Sequence, residues 1–348
     1  MRELTFVARK KVEWRESPAP TLTSDHGALV APVTATTCDL DSALLAGHGL
    51  AEPPFAFGHE CVARVLDVGD AVATVAPGDL VVVPWHICCG TCDRCLAGQQ
   101  AHCRSVPPMA MYGIPVGGDW GGTFSDVVHV PWADAMAVRL PAGLDPVAMA
   151  SASDNWTLAW RLTVPYLSGR PGTSVLIVSR GSIGLYACDL ARAAGAADVL
   201  YVDPDPDRRA IAAGYGARTA ERMEPVRHGF GLALELTGRV DDLVTALRSL
   251  RPEGHCESAA PHFRQGELPL LELYLNGTTL RMARDNVRAH LDEALDAALS
   301  PDVDPGRVVS DVLDWDDIPD AILEPRVKPV FVRDPDRTDT TSAGRGTA

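Results

Sequence analysis

The sequence predicts an α/β protein in two parts, a β-rich unit followed by a parallel sheet covered by helices on both faces. Two observations carry this. Up to about Pro146 the chain is rich in Val, Gly and Pro, and short apolar runs alternate with turn residues. Beyond about residue 154, strand-like and helix-like segments alternate at the spacing of βαβ units. With 348 residues, 46% of them hydrophobic, the chain has the length for two domains and the composition of a globular protein.

The elements follow in order. "MRELTFVARKKVEWRESPAP" alternates as two short strands. "ECVARVLDVG", "GDLVVVPW" and "FSDVVHVP" read as further strands of the β-rich unit. "PVAMASASDNWTLAWRLTVPYL" reads as helical. "TSVLIV" is a buried-strand run, "SIGLYACDLARAAGA" a helix and "ADVLYVD" a strand. Helical "PDRRAIAAGYGA", strand-like "LALELTG" and helical "VDDLVTALRSL" continue the alternation. "LELYLNGTTLRMA" reads as the last parallel strand, at the sheet edge, and "VRAHLDEALDAAL" as a helix. "VVSDVLDW" and "KPVFVRD" read as closing strands, and "DPDRTDTTSAGRGTA" as a disordered tail.

A net charge of −15 argues against nucleic acid or an anionic membrane as the main partner. The N-terminus lacks the apolar core of a signal peptide, and no run reaches the ~20 apolar residues of a membrane helix. Nine cysteines, odd in number and clustered, suit thiolates holding metal in a reducing cytoplasm better than a disulfide framework.

Five of those cysteines crowd into "CCGTCDRCLAGQQAHC". Cys89, Cys92, Cys95 and Cys103 are the right number of thiolates for a closed tetrahedral zinc site on one loop, hence a structural one. An iron–sulfur run of the bacterial ferredoxin type has a shorter last gap and a proline after the fourth cysteine, and neither is present. Cys88 is the spare. A dispersed group, Cys38 in "TTCDLD", His59 and Glu60 in "GHE" and Asp154 in "SASDNW", contains the donors of a three-ligand zinc with an open position. The alternatives are a core cysteine, an ordinary hydrogen-bonded histidine and a helix N-cap aspartate.

"VLIVSRGSIGLYA" follows a strand and opens a helix, as a dinucleotide-binding turn does. Gly181 and Gly184 fill the second and third glycine places of that fingerprint, while Ser179 stands at the first; Ser182 and Ile183 complete the turn. Asp203, about 20 residues on, ends the next strand, where a carboxylate accepts from the adenosine ribose hydroxyls and repels a 2′-phosphate. That favours NAD(H) over NADP(H), although Arg208 or Arg209 is within reach of the ribose edge and Asp203 also reads as a turn residue before proline.

The order of Cys38, "GHE", the four-cysteine loop and a dinucleotide fold resembles the zinc-dependent medium-chain alcohol dehydrogenase family, from about Leu4 to Val332. The resemblance implies a GroES-like catalytic domain at 1–153, completed by 288–333, and a Rossmann NAD-binding domain at 154–287, with a tail at 334–348. It implies two zinc ions per chain. Cys38 and His59 match catalytic ligands, with Glu60 beside them, and Asp154 in "SDN" matches the aspartate ligand of the formaldehyde-dehydrogenase-like branch. Trp85 falls where the family lines its substrate pocket, and Trp120 and Trp156 are further candidates.

The implied activity is hydride transfer between NAD(H) and a small-molecule alcohol, aldehyde or ketone, by a cytoplasmic homodimer or homotetramer. Three departures stand out. Ser179 replaces a fingerprint glycine, Leu158 (beside Thr157) falls where a Thr often meets the nicotinamide, and Leu40 and Ala43 replace the usual proton relay. Asp39, Asp41 or His48 with water is the expected substitute. The missing relay keeps two other readings open, a reductase of a secondary-metabolite imine or other group needing no relay, and a non-catalytic zinc- and NAD-binding protein.

Overall fold

A computed structural model describes residues 1–49, 51–282 and 284–333. The stretch read as a tail therefore lies outside the described residues. Three sheets organise the rest. Arg2–Ala8 and Lys11–Glu16 form an antiparallel hairpin, and Phe55–Ala56 pairs along the other edge of Arg2–Ala8. A seven-stranded sheet runs Asp311–Asp314, Pro329–Val332, Ala28–Thr36, Glu60–Val68, Leu80–Val82 and Val138–Arg139, with Val128–Val130 also paired to Ala28–Thr36. Its centre is the nine-residue strand Ala28–Thr36, which the sequence reading passed over because Pro32, Thr34 and Thr36 dilute its apolar pattern.

The third sheet is wholly parallel. From edge to edge it runs Arg218–Ala220, Asp198–Val202, Ser174–Val178, Phe230–Glu235, Leu250–Ser258 and Thr279–Met282. In chain order that is 3-2-1-4-5-6, the doubly wound Rossmann order. The strand Ser174–Val178 shows why the sequence takes this form. Val175 and Ile177 face one core, Leu176 and Val178 another, and all four are buried. Full burial of each such side chain contributes roughly 1.5–3 kcal/mol.

A further strand escaped the sequence reading, and one reading is corrected. Leu250–Ser258 is a strand despite Pro252 and Gly254; Glu253 sits at φ 60°, and the pairing with Phe230–Glu235 shifts register between Phe230 and Leu232. "LELYLNGTTLRMA" is not one strand. Leu270–Asn276 is a helix ended by Gly277 at φ 64°, and only Thr279–Met282 joins the sheet.

The helix Asn155–Leu167 packs on the helix Ser182–Ala193, with the Trp156 and Tyr186 rings edge to face. Ser182–Ala193 leaves the end of Ser174–Val178 at the point where the strand order reverses. Doubly wound sheets bind their ligands in the crevice at that point.

Candidate functional site

Each of Cys89, Cys92, Cys95 and Cys103 offers a ligand atom within 4.8 Å of the other three. The loop is organised around sulfur. Cys89 Sγ accepts from Cys92 N at 3.3 Å, Thr91 N at 3.4 Å and Ser105 Oγ at 3.1 Å; Cys103 Sγ accepts from Cys89 N and Ser105 N, both at 3.4 Å. Burial pushes the Cys89 thiol up, but the Ser105 and Thr91 hydrogen bonds outweigh it and hold it at about 5. None of the four is in a disulfide. Four mutually adjacent sulfurs with donors turned toward them fit a closed tetrahedral zinc site. Cys88 is buried, outside the cluster, and burial pushes its thiol to about 12.

The second group draws on three distant elements. Cys38 follows the strand Ala28–Thr36, His59 precedes the strand Glu60–Val68, and Asp154 precedes the helix Asn155–Leu167. Their ligand atoms also lie within 4.8 Å of one another. His59 Nε2 is 3.6 Å from Asp154 Oδ2, close to the edge of about 3.4 Å expected of a tetrahedron with ~2.1 Å bonds. Asp154 occupies the N-cap position but makes no side-chain cap hydrogen bond, so its carboxylate is not spent on the helix. Gly58 sets the turn into His59. It lies at φ 95°, and a Cβ there would come within 2.3 Å of the Phe124 ring.

The electrostatics of this group fit a cation. Burial, then the carboxylates of Asp41, Asp154 and Glu60, raise the Cys38 thiol well above its ordinary value. Burial alone would lower His59, but Asp41 and Asp154 raise it to about 9. A divalent ion reverses both tendencies, displacing the thiol and imidazolium protons. The mixed sulfur, nitrogen and oxygen donors suit zinc.

Asp41 is the support that sequence reasoning placed elsewhere. Its Oδ2 accepts from Cys38 N at 2.9 Å, while Oδ1 lies 3.8 Å from His59 Nδ1, and neither of those facing atoms has another hydrogen-bond partner among the described residues. It is 1% exposed and poised to orient the imidazole, not to reach solvent. Of the other relay candidates, His48 is exposed, and Asp39 turns toward the cofactor turn described below.

Glu60 is fully engaged. Its Oε1 accepts from Asn155 N at 3.0 Å and Ser151 Oγ at 3.1 Å, and its Oε2 from Lys328 Nζ at 2.7 Å. Lys328 also donates to Thr37 O and is 1% exposed. Burial works against its charge, but the Glu60 carboxylate outweighs burial and keeps Lys328 protonated. In the orientation that satisfies both ends of its amide, Asn155 donates to Asp154 Oδ2 at 3.1 Å and accepts from Lys328 Nζ at 3.2 Å. Lys328 was missed by sequence reasoning; its one signal is a lysine opening the apolar "KPVFV".

The three tryptophans separate. Trp85 is buried and its Nε1 donates to Asp285 Oδ2 at 3.2 Å. Asp285 is buried, and burial first, then the neighbouring Asp154 charge, push its carboxyl well above the usual range. Trp85 thus reaches the dispersed group through Asp285, a residue the sequence did not single out. Trp156 is not brought to the site: it is 1% exposed and donates to Ala294 O at 3.0 Å in the helix packing. Trp120 lines a separate groove of about 720 Å³ with Met1, Glu3, Pro18 and His26, and donates to Gly117 O at 3.0 Å.

At the cofactor turn, Ser179 Oγ packs under the helix, and a Cβ on Gly184 would come within 2.5 Å of it. The third fingerprint position thus keeps its close-packing reason for glycine. The first N–H groups of Ser182–Ala193 do not point at open space. Ser182 N and Ser182 Oγ each donate to Asp39 Oδ1 at 2.8 Å, and Ile183 N donates to Asp39 Oδ2 at 3.2 Å. At the end of the next strand, Asp203 is fully buried. Arg208 clasps it through Nε at 2.8 Å and Nη2 at 3.0 Å, while Tyr201 Oη and Asp205 N each donate to it at 2.8 Å. The backbone fits a dinucleotide, but both carboxylates that would meet one are already engaged.

Residues 24–142 match the alcohol dehydrogenase GroES-like domain. The alcohol dehydrogenase TADH from Thermus sp. ATN1 superposes with a TM-score of 0.89 at 30% identity, over 96% of this chain and 100% of that one. A Mycobacterium tuberculosis protein described as "Probable zinc-binding alcohol dehydrogenase Rv1895" is 28% identical over 329 residues, 91% of this chain and 83% of its own. The glutathione-independent formaldehyde dehydrogenase of Pseudomonas aeruginosa is 31% identical over 233 residues, 63% of this chain and 58% of that enzyme.

Proposed function

The chain belongs to the zinc-dependent medium-chain alcohol dehydrogenase family of oxidoreductases, and from that premise we propose that it interconverts an alcohol and an aldehyde or ketone with NAD(H). The observation that carries this reading is the meeting of Cys38, His59 and Asp154 beside the cofactor turn, which Asp39, next to Cys38, touches directly. When bound, zinc supplies Lewis acidity and the nicotinamide accepts or donates the hydride.

In this reading Cys38, His59 and Asp154 hold the catalytic zinc, and Cys89, Cys92, Cys95 and Cys103 the structural one. Asp41 orients the His59 ring. Glu60, tied to Lys328 and Asn155, holds the carboxylate side of the site in place. Trp85 and Asp285 brace Asp154 from the other side. Ser179, Gly181, Ser182, Ile183 and Gly184 form the pyrophosphate turn, and Asp203 with Arg208 meets the adenosine ribose. The Asp203 carboxylate supports NAD(H) over NADP(H), and the Arg208 guanidinium that neutralises it softens the preference.

The exposed side chains Leu270, Leu271, Tyr274 and Leu275, next to the edge strand Thr279–Met282, support a homo-oligomer joined along that edge. No helix among the described residues is long and apolar enough to cross a membrane.

The test is oxidation of NADH by zinc-loaded protein with a panel of aldehydes, ketones and imines. The expected result is turnover of a carbonyl that His59→Ala abolishes. A second reading, reduction of an imine, is favoured by one observation, the non-protic Leu40 and Ala43; turnover of imines alone selects it. Binding of NADH with no turnover across the panel overturns both.

A further inference from the structure

The geometry points to Asp39 as an internal anion that occupies the pyrophosphate seat and thereby sets how tightly this chain holds its dinucleotide, an inference that rests on the cofactor reading above. A helix N-terminus presents free N–H groups and the positive end of a dipole, and the dinucleotide fold places the pyrophosphate there. Ser182–Ala193 is a 12-residue helix whose own first turn contains no acidic residue. Its first two N–H groups are nevertheless taken by a carboxylate from another part of the chain. Asp39 Oδ1 accepts from Ser182 N and Ser182 Oγ, and Asp39 Oδ2 from Ile183 N.

The space is taken as well as the donors. The second fingerprint glycine is small so that a phosphate approaches the backbone. A Cβ built on Gly181 would lie 2.2 Å from Asp39 Oδ2, so the gap this glycine leaves is filled by Asp39. A pyrophosphate and this carboxylate compete for the same N–H groups, and two anions side by side in a partly buried site repel. Lys328, the buried cation of the site, is bound to Glu60 and Thr37 O and does not bond to Asp39.

Binding is therefore an exchange: the cofactor's phosphates displace the Asp39 side chain from the helix. Asp39 is only partly buried and lies on the short turn between Thr36 and the helix Asp41–Leu45, so it has solvent to swing into. It also directly follows Cys38. Each withdrawal passes through the backbone of a candidate metal ligand, which links the two halves of the site. Asp39 in this role is a specificity-determining residue: it penalises anionic ligands of the turn and leaves uncharged ones alone.

The experiment is equilibrium binding of NADH and of adenosine to zinc-loaded wild type, Asp39→Asn and Asp39→Ala, with zinc content and circular dichroism as controls of folding. Asn keeps the shape and removes the charge; Ala removes both. The expected result is NADH binding at least tenfold tighter in both variants, with adenosine binding unchanged within twofold. NADH affinity unchanged or weaker in the folded variants overturns the inference while the cofactor reading stands. Equal tightening of adenosine overturns it too, because the effect is then not one of charge. No NADH or NADPH binding by any of the three proteins overturns the cofactor reading, and the competition with it. Wild type alone supplies a second measurement that needs no variant. NADH should increase hydrogen exchange at residues 37–43 as Asp39 is expelled, and unchanged or slowed exchange there overturns the inference.

Discussion

The two thiolate-bearing clusters are built in opposite ways. Cys89, Cys92, Cys95 and Cys103 come from one loop, and their supporting donors, Thr91 and Ser105, lie on the same loop. Cys38, His59 and Asp154 come from three segments, and their supports, Asp41, Lys328 and Asp285, come from three places again. The first cluster can assemble with little help from the rest of the molecule. The second exists only once the seven-stranded sheet and the helix Asn155–Leu167 are in place together. A local site puts its free energy into folding, whereas a dispersed one is a product of folding and is free to leave a coordination position open.

Five variants sharpen or break that contrast, the first two read as a pair and the rest in falling order of effect. Cys92→Ser should lose one zinc and cooperative folding, with Tm down by more than about 10 °C, because the metal's binding energy there is folding energy. His59→Ala should also lose one zinc but keep its Tm within a few degrees. Metal analysis with calorimetry decides, and equal destabilisation by the two variants breaks the contrast. Lys328→Met should destabilise by about 3–5 kcal/mol in urea unfolding, since it strands the Glu60 charge in the interior; a loss under about 1 kcal/mol would mean that Glu60 simply takes up a proton.

Asp41→Asn should weaken zinc at the dispersed site by roughly 10–100-fold and leave the cysteine loop untouched. Chelator competition reads both sites at once, and an equal effect on the two defeats the orienting role given to Asp41. Smallest is Asp203→Ala, which should narrow the NADH-over-NADPH preference by less than about tenfold, one power of ten being 1.4 kcal/mol. Arg208 already neutralises most of the charge being removed. A full reversal of preference would show that the clasp opens when cofactor binds.

The same contrast explains what was legible in the sequence. The parallel sheet announced itself through local patterns, apolar runs such as "TSVLIV" punctuated by glycine, and the cysteine loop through spacing alone. Leu250–Ser258 was hidden because proline and glycine sit where the strand bulges, and propensity cannot see the neighbouring strand that holds it. Cys38, His59 and Asp154 were readable only as a family pattern, since no local rule joins positions so far apart. Lys328 left only the faint signal of a lysine opening an apolar run, and Asp285 left none. Lys328 meets Glu60 across 268 positions, and Asp285 meets Trp85 across 200. An isolated lysine or aspartate in a sequence looks like solvated surface until its burial is known.

The pairing of Lys328 with Glu60 also has a meaning in time. On a ribosome the chain emerges from its N-terminus at about 5–20 residues per second. The four cysteines of the loop are exposed together early and are able to capture zinc while most of the chain is unmade. Glu60 waits for a cation that arrives 268 residues later, more than 10 seconds at those rates. Until then the carboxylates around Cys38 and His59 have no buried countercharge, and the strand Pro329–Val332 has not yet closed beside Ala28–Thr36. The two sites would accordingly take their metals in a fixed order, the cysteine loop first and the dispersed site once Lys328 is in place.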